Sequence, residues 1–459
     1  MNNATQKKKT PLSLIVGYGF GELGGQMSWY MINTYLMIFY TDVVGLTASA
    51  ISLIMLIARV WDAINDPMMG MLCDRTHTRW GKFRPYIMFA PPVLAIFNIL
   101  TFTVMPVKGV AKVLLCLLFY IGAGMAYTVV MTAYASLVNV VSKDSQERQT
   151  LSASRNMFSS IGSTIMGAVA MPLILFFGKS EVATAKGYFW TTVVFSVAMI
   201  PIYFITAGTC KENYIEELHG EKTEEKRSII ESLKTVFKND QLMIVVLNTL
   251  GGTIGVLGRM TMLSYYVIYV VGSYTMIAPI YTIMSIGALL GSCIIPTMTA
   301  RLGKKTYALL LNGIMAAGFI IMYAFPVNNM AFLLVISFVI GIGNSSQGVA
   351  YGMVSDSIEY GDYKNGVREE GLSCSFLSLS AKIATAVCGS VGVLLLASIG
   401  YVPNAAQTET AKNGINFVVN IIPAICVVVS MIPLFFYKLE NKKMVEIGKE
   451  LERRRAEEK

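Results

Sequence analysis

The chain has 459 residues, 54% apolar and only 14% charged, against about 25% charged in an average soluble protein; with a mean hydropathy of +0.57, a soluble globular fold is excluded. Its net charge of +9 does not mark a nucleic-acid surface, because the basic residues gather in alternate loops: Lys7 to Lys9, Arg75 to Arg84, Lys143 and Arg148, Arg301 to Lys305, and the tail from Lys438. Two histidines and seven cysteines, none at metal-ligand or disulfide-framework spacing, leave no basis for a zinc site, histidine catalysis or a stapled domain.

Twelve apolar segments reach the roughly 20 residues that a membrane helix needs: residues 11–39, 47–73, 84–106, 111–140, 153–178, 186–208, 241–271, 275–298, 306–325, 329–354, 371–399 and 413–437. They predict an all-α polytopic membrane protein of twelve transmembrane helices. The alternation of basic and sparsely charged loops places both termini in the cytoplasm. The lysine run before the first segment is not followed by a small-residue cleavage site, so that segment reads as a span and not as a signal peptide.

In the first segment Tyr18, Glu22, Gln26, Trp29 and Asn33 recur at spacings of three and four, one polar and aromatic stripe beside Gly17, Gly19, Gly21, Gly24 and Gly25. The glycines permit close helix contact, while Glu22 requires a partner or water at that depth. The second segment carries Arg59, Asp62 and Asp66 on one helical face. Each such charge costs about 2.5–3.5 kcal/mol at the centre of a membrane helix, so three together mark an ion or substrate pathway or, for Arg59 and Asp62, a structural pair. Pro67 frees the carbonyl of Ala63 nearby. Two carboxylates, the Asn65 amide and that carbonyl form an all-oxygen set suited to a small hard cation.

The fourth segment offers Tyr120, Tyr127, Thr128, Met131 and Tyr134, and the fifth places Arg155 with Ser159 and Gly162 on its face. Residues 209–240 form a polar linker in which Ile229, Ile230, Leu233, Val236 and Phe237 recur at helical spacing, predicting an amphipathic surface helix. It separates an N-terminal six-helix bundle, residues 1–208, from a C-terminal one, 241–438, with a cytoplasmic tail over 439–459 that is expected to fray from Glu450. The seventh segment carries Asn248, Gly252, Gly255 and Arg259 on one stripe, the last expected to reach the outer surface or the cavity. The eleventh carries Ser375, Ser378, Lys382 and Thr385. Arg79-Trp80-Gly81-Lys82 after the second segment returns as Arg301-Leu302-Gly303-Lys304 after the eighth, at an offset of 222 residues. A duplicated six-helix unit of this kind is typical of secondary transporters.

Several motifs carry a resemblance that covers nearly the whole chain: Tyr40-Thr41-Asp42-Val43-Val44-Gly45, Arg59 through Pro67, Arg79 through Pro85, Glu359 through Tyr363, then Gly366-Val367-Arg368, Gly371 and Lys382. Through them the chain resembles the glycoside–pentoside–hexuronide:cation symporters, the melibiose permease-like branch of the major facilitator superfamily. The resemblance implies a Na⁺ site at Asp62, Asp66, Asn65 and Thr128, with H⁺ as the alternative coupling ion, and a charge network of Arg59, Arg155 and Lys382. With the polar stripes, it makes Gln26, Glu22, Trp29, Tyr127, Met131, Arg155, Ser378 and Lys382 the candidate sugar site. A cytoplasmic gate would use salt bridges among Arg79, Lys82, Arg84, Asp356, Glu359 and Arg368. No cofactor is expected beyond the coupling ion, and the carrier is expected to be a monomer of the bacterial inner membrane.

The sugar site departs from the galactoside pattern, in which acids stand at the positions of Gln26 and Met131 and a Trp at that of Ala135. Uronide-transporting relatives carry an Asn near Gln26 and an acid near Glu22, closer to this chain. Without the two acids, Arg155 and Lys382, with Arg259 added, leave the cavity more positive. A hexuronide, its carboxylate bridged by Arg or Lys, is therefore the leading expectation, with neutral pentosides or glucosides, bound by amide hydrogen bonds and stacking on Trp29 or tyrosines, close beside it. A lysolipid carrier and a non-transporting sugar sensor on the same scaffold are the alternatives.

Overall fold

The computed structural model describes residues 11–76, 78–142, 145–212, 237–325, 329–365 and 370–457. The described residues contain helices and no strand beyond one isolated bridge, Thr78 to Gly81. With no water in the hydrocarbon core, a spanning segment must satisfy its own backbone, and the helix does so within one stretch of chain.

Six helices form the first half: α1 (Leu12–Ile38), α2 (Ala48–Arg75), α3 (Arg84–Thr101), α4 (Val110–Val141), α5 (Ser145–Gly178) and α6 (Ala185–Thr209). In the second half come α7 (Asp240–Tyr265), α8 (Ile277–Leu302) and α9 (Lys304–Ala324). One span then breaks at Ser345 into α10 (Met330–Asn344) and α11 (Ser346–Asn365). It is followed by α12 (Glu370–Ser398) and by a span made of α13 (Glu409–Asn416) and α14 (Ile422–Phe435). Caps mark the starts: Thr184 accepts from the Gly187 amide, Asn239 from Leu242, and Thr408 from Ala411. Eleven of the helical stretches are long and apolar enough to cross a membrane. The twelfth span, α1, has 27 residues, about 40 Å of helix, and owes its lower hydropathy to the polar stripe.

Three spans end or bend in a π-turn: Phe39–Val43 after α1, Tyr266–Val271 after α7, and Phe417–Ile421 between α13 and α14. The chain forms two compact units, Met1–Phe39 with Val60–Lys222, and Tyr40–Arg59 with Thr223–Lys459. The division expected near residue 208 is thus modified, since a twenty-residue piece of the first half joins the second unit. Within each half the first helix packs on the fifth and sixth, and the third on the fourth and sixth. This common pattern is what a duplicated unit requires.

The first unit's core joins Tyr18, Leu94, Val130, Tyr134, Leu137 and Tyr203. Gly21 lets Tyr134 approach α1, and a Cβ there would sit 2.4 Å from the ring. Large apolar side chains such as Leu53, Val60, Phe176 and Phe435 face outward, as lipid-facing helices demand.

Most of the linker expected to be amphipathic lies outside the described residues. The tail expected to fray from Glu450 is instead helical as α15 (Asn441–Glu457). Its Ile447 and Leu451 are buried with Tyr437 and Leu439, and Arg454 donates to the Tyr363 carbonyl. The helix of the tenth span, expected over 329–354, continues through Asp356 to Asn365.

Candidate functional site

On α2, Asp62 and Asp66 are half-buried one turn apart. α4 meets them with two residues of matching spacing. The Thr128 hydroxyl donates to Asp66 Oδ1 at 3.0 Å, and one turn earlier a Cβ on Gly124 would lie 3.1 Å from Asp62 Oδ1. The missing side chain at 124 is therefore what lets α4 come this close to the Asp62 carboxylate. Asn65 occupies the buried side of α2, 3% exposed, and its amide nitrogen has no hydrogen-bond partner. Among the described residues no group of three or more His, Cys, Asp or Glu is placed to hold a metal ion. Two carboxylates with a hydroxyl form an all-oxygen cluster, the donor type that suits a hard cation. Arg59 lies on the same helix, in the part that belongs to the second unit.

The α1 stripe is fastened to α5 at two levels. Glu22, 8% exposed, accepts from Arg155 Nε at 2.8 Å. One turn on, the Gln26 amide donates to Ser159 Oγ at 3.0 Å and accepts from Ser163 Oγ at 3.2 Å. The guanidinium of Arg155 also stands 5.5 Å over the Tyr134 ring, and the Tyr134 hydroxyl donates to the Tyr18 carbonyl. Trp29 stacks on Tyr127 at 4.4 Å, a flat apolar platform suited to a pyranose face. The Tyr203 hydroxyl contacts Met131 Sδ at 3.7 Å. Glu22, Gln26, Trp29, Tyr127, Met131 and Arg155 therefore all lie in the first unit.

Lys382 lies on α12 in the second unit with an exposed side chain. Ser378 is on the same helix, its side chain outside the described residues. Arg259, expected at the surface or in the cavity, is 2% exposed inside the second unit. It donates to Asn420 and to the Val419 carbonyl in the π-turn, and it lies 4.9 Å over the Phe319 ring. The π-turn and the Asn side chain supply acceptors that a regular apolar helix would lack, so the guanidinium is held in the core. Arg155 is thus paired with a carboxylate, and Arg259 is buried against neutral acceptors.

Several of the residues expected to form the gate have partners within their own units. Arg84 Nε donates to the Ala207 carbonyl at 2.7 Å, and Arg79 lies 4.3 Å over Trp80. Lys82 is buried, 5.1 Å over Phe83. The Glu212 carboxylate accepts from the backbone amides of Lys82, Phe83 and Arg84, a cap on α3 that Gly81 makes room for. In the second unit Asp356 pairs with Lys304 at 2.6 Å, with Glu359 half-buried one turn on. Arg368 lies outside the described residues. Sequence reasoning missed Gly124, Ser163 and Glu212. For Gly124 the signal was available, since it precedes Thr128 by the same four residues that separate Asp62 from Asp66.

Residues 17–441 match the model of the MFS/sugar transport protein family. The chain is 32% identical to the isoprimeverose transporter of Lactiplantibacillus pentosus, over 95% of this chain and 90% of that one. It is 30% identical to a glucuronide carrier protein homologue of Escherichia coli strain K12, over 96% and 95%. The crystal structure of a D-xylose–proton symporter shares the fold with a TM-score of 0.68 at 15% identity, covering 94% of this chain and 98% of that one. The chain therefore belongs to the MFS/sugar transport family, in its glycoside–pentoside–hexuronide symporter branch, and is a sugar symporter of the major facilitator type.

Proposed function

We propose that this symporter couples inward movement of Na⁺ to uptake of a glycoside by alternating access, in the bacterial inner membrane with both termini in the cytoplasm. One observation carries the reading: α4 sets Thr128 on Asp66 and Gly124 against Asp62 at the same helical spacing. Na⁺ bound there neutralises the acids and fixes α2 on α4. That same helix, α4, carries Tyr127 and Met131 of the sugar wall, so ordering it for one ligand prepares it for the other. Coupling of this type is worth about 1–3 kcal/mol in each direction.

The electrostatic case for a hexuronide narrows once Arg155 pairs with Glu22 and Arg259 is buried in the core of the second unit. A neutral glycoside, stacked on Trp29 and hydrogen-bonded near Gln26, is the substrate class we place first. The relatives named for isoprimeverose and for a glucuronide bracket the two classes. The polar stripe on α1 argues against a lysolipid.

The test is uptake into right-side-out vesicles at fixed pH, with and without an inward Na⁺ gradient, comparing an aryl β-glucoside with the matched β-glucuronide. The expected result is Na⁺-stimulated uptake of the glucoside that Asp66→Asn abolishes. Stimulation that survives in Asp66→Asn refutes the cation site, and uptake driven only by a proton gradient assigns H⁺ instead. Preference for the glucuronide overturns the neutral class.

A further inference from the structure

The hairpin between α5 and α6, within the first unit, is closed by two glycines. A Cβ on Gly178 would stand 2.6 Å from Thr184 Oγ1, and one on Gly187 would stand 2.1 Å from the Ile174 carbonyl oxygen. Without side chains at these two positions, α6 turns back directly against the end of α5. That end is a Schellman motif: the Ser180 amide donates to the Leu175 carbonyl, and the Lys179 amide to that of Phe176. Its left-handed position, usually a glycine, is held by Lys179 at φ 49°. A residue with a Cβ is strained there, so the chain carries a lysine where a glycine would sit at less cost.

The hairpin leaves a cleft of about 650 Å³, open on one side and lined by Leu175, Phe176, Phe177, Lys179, Lys186 and Trp190. That volume lies in the range of small-ligand sites. Both α5 and α6 are long and apolar enough to cross a membrane, so the turn that joins them lies at a membrane surface. There, aromatic rings sit among lipid headgroups, and lysine stems run along apolar surface to place the ammonium at the same level. Phe176 and Trp190 are exposed, at 72% and 43%. Lys179 and Lys186 are exposed as well, and neither forms an ion pair among the described residues. Glu181, the one acid between Leu173 and Trp190, does not line the cleft. Two cations thus stand over an apolar and aromatic floor that carries no carboxylate.

We propose that this cleft binds an anionic phospholipid, its phosphate held by Lys179 and Lys186 and an acyl chain laid over Phe176 and Trp190. Belt aromatics and snorkelling lysines by themselves hold every phospholipid alike. Here the backbone of both lysines is fixed, Lys179 by the Schellman turn and Lys186 by the first turn of α6 behind the Thr184 cap. Two like charges on one cleft repel, and a phosphodiester between them removes that cost. A zwitterionic lipid brings its own ammonium to the same place, so a lipid of net negative charge is preferred. The strained backbone at Lys179 is kept because the charge is needed at that point. No residue of the cleft belongs to the candidate Na⁺ or sugar sites, and the site stands whichever sugar or ion is carried.

The test uses Trp190 as its reporter. The full chain is reconstituted in phosphatidylcholine vesicles in which a minor share of the lipid is phosphatidylglycerol with brominated chains or, in parallel, brominated phosphatidylcholine. Quenching at Trp190 is read as the difference between wild type and Trp190→Phe. Two lysines at one anionic headgroup predict roughly tenfold tighter binding of phosphatidylglycerol than of phosphatidylcholine. Lys179→Gln/Lys186→Gln should remove the preference, and Lys179→Arg/Lys186→Arg should keep it. Lys179→Gly separates the site from folding: glycine takes φ 49° without strain, so the preference should weaken at an unlowered melting temperature. Equal quenching by the two lipids in wild type, or a preference that survives the double glutamine change, overturns the site and leaves an ordinary aromatic belt.

Discussion

Thr128→Ala tests the cation site with the smallest change available. It deletes one hydroxyl, whose oxygen stands 3.0 Å from Asp66 Oδ1, and leaves the helix and both carboxylates in place. A hydrogen bond to a charged group contributes about 1.5–3 kcal/mol, and each 1.4 kcal/mol is a factor of ten. Half-maximal stimulation should therefore require about ten to a hundred times more Na⁺, while maximal uptake at saturating Na⁺ changes little. The assay is sugar uptake in vesicles across a Na⁺ series at constant ionic strength and pH. Thr128→Ser, which restores the oxygen, should return the curve to within about threefold of wild type. Gly124→Ala should weaken Na⁺ as well, because its Cβ would crowd Asp62 at 3.1 Å. A Thr128→Ala protein whose Na⁺ dependence matches wild type would show that the hydroxyl is a structural partner of Asp66 and not part of the ion's shell.

Glu22→Gln leaves the Arg155 guanidinium without its carboxylate. Since the Arg155 side chain is 36% exposed, solvent screens part of the loss, and about 1–2 kcal/mol of stability should go. Thermal unfolding of the Glu22→Gln/Arg155→Gln pair should recover part of it, whereas fully additive single effects would refute the ion pair. Gly21→Ala puts a Cβ 2.4 Å from the Tyr134 ring, an overpacking that costs about 1–3 kcal/mol; a wild-type melting temperature would contradict the packing of α1 on α4.

The sequence by itself determined the span count, the duplication and the face that carries Asp62 and Asp66. Apolar length, helical period and like-charge spacing are properties of one segment, and no distant residue changes them. It also named Thr128, but only through a family resemblance, because nothing local says that α4 meets α2. Tertiary structure alone decided the partners. Arg155 and Arg259 look alike in sequence, buried cations on apolar helices, yet one finds Glu22 across 133 residues and the other a π-turn and Asn420 across 161. Those pairings set one guanidinium on a carboxylate and bury the other among neutral acceptors, a difference that composition does not carry. Asp42 makes the same point: its motif is legible in the sequence, but its partner Tyr269 lies 227 positions away. Pairing between remote side chains is set by how helices pack, and packing is written in the shape of all the helices together.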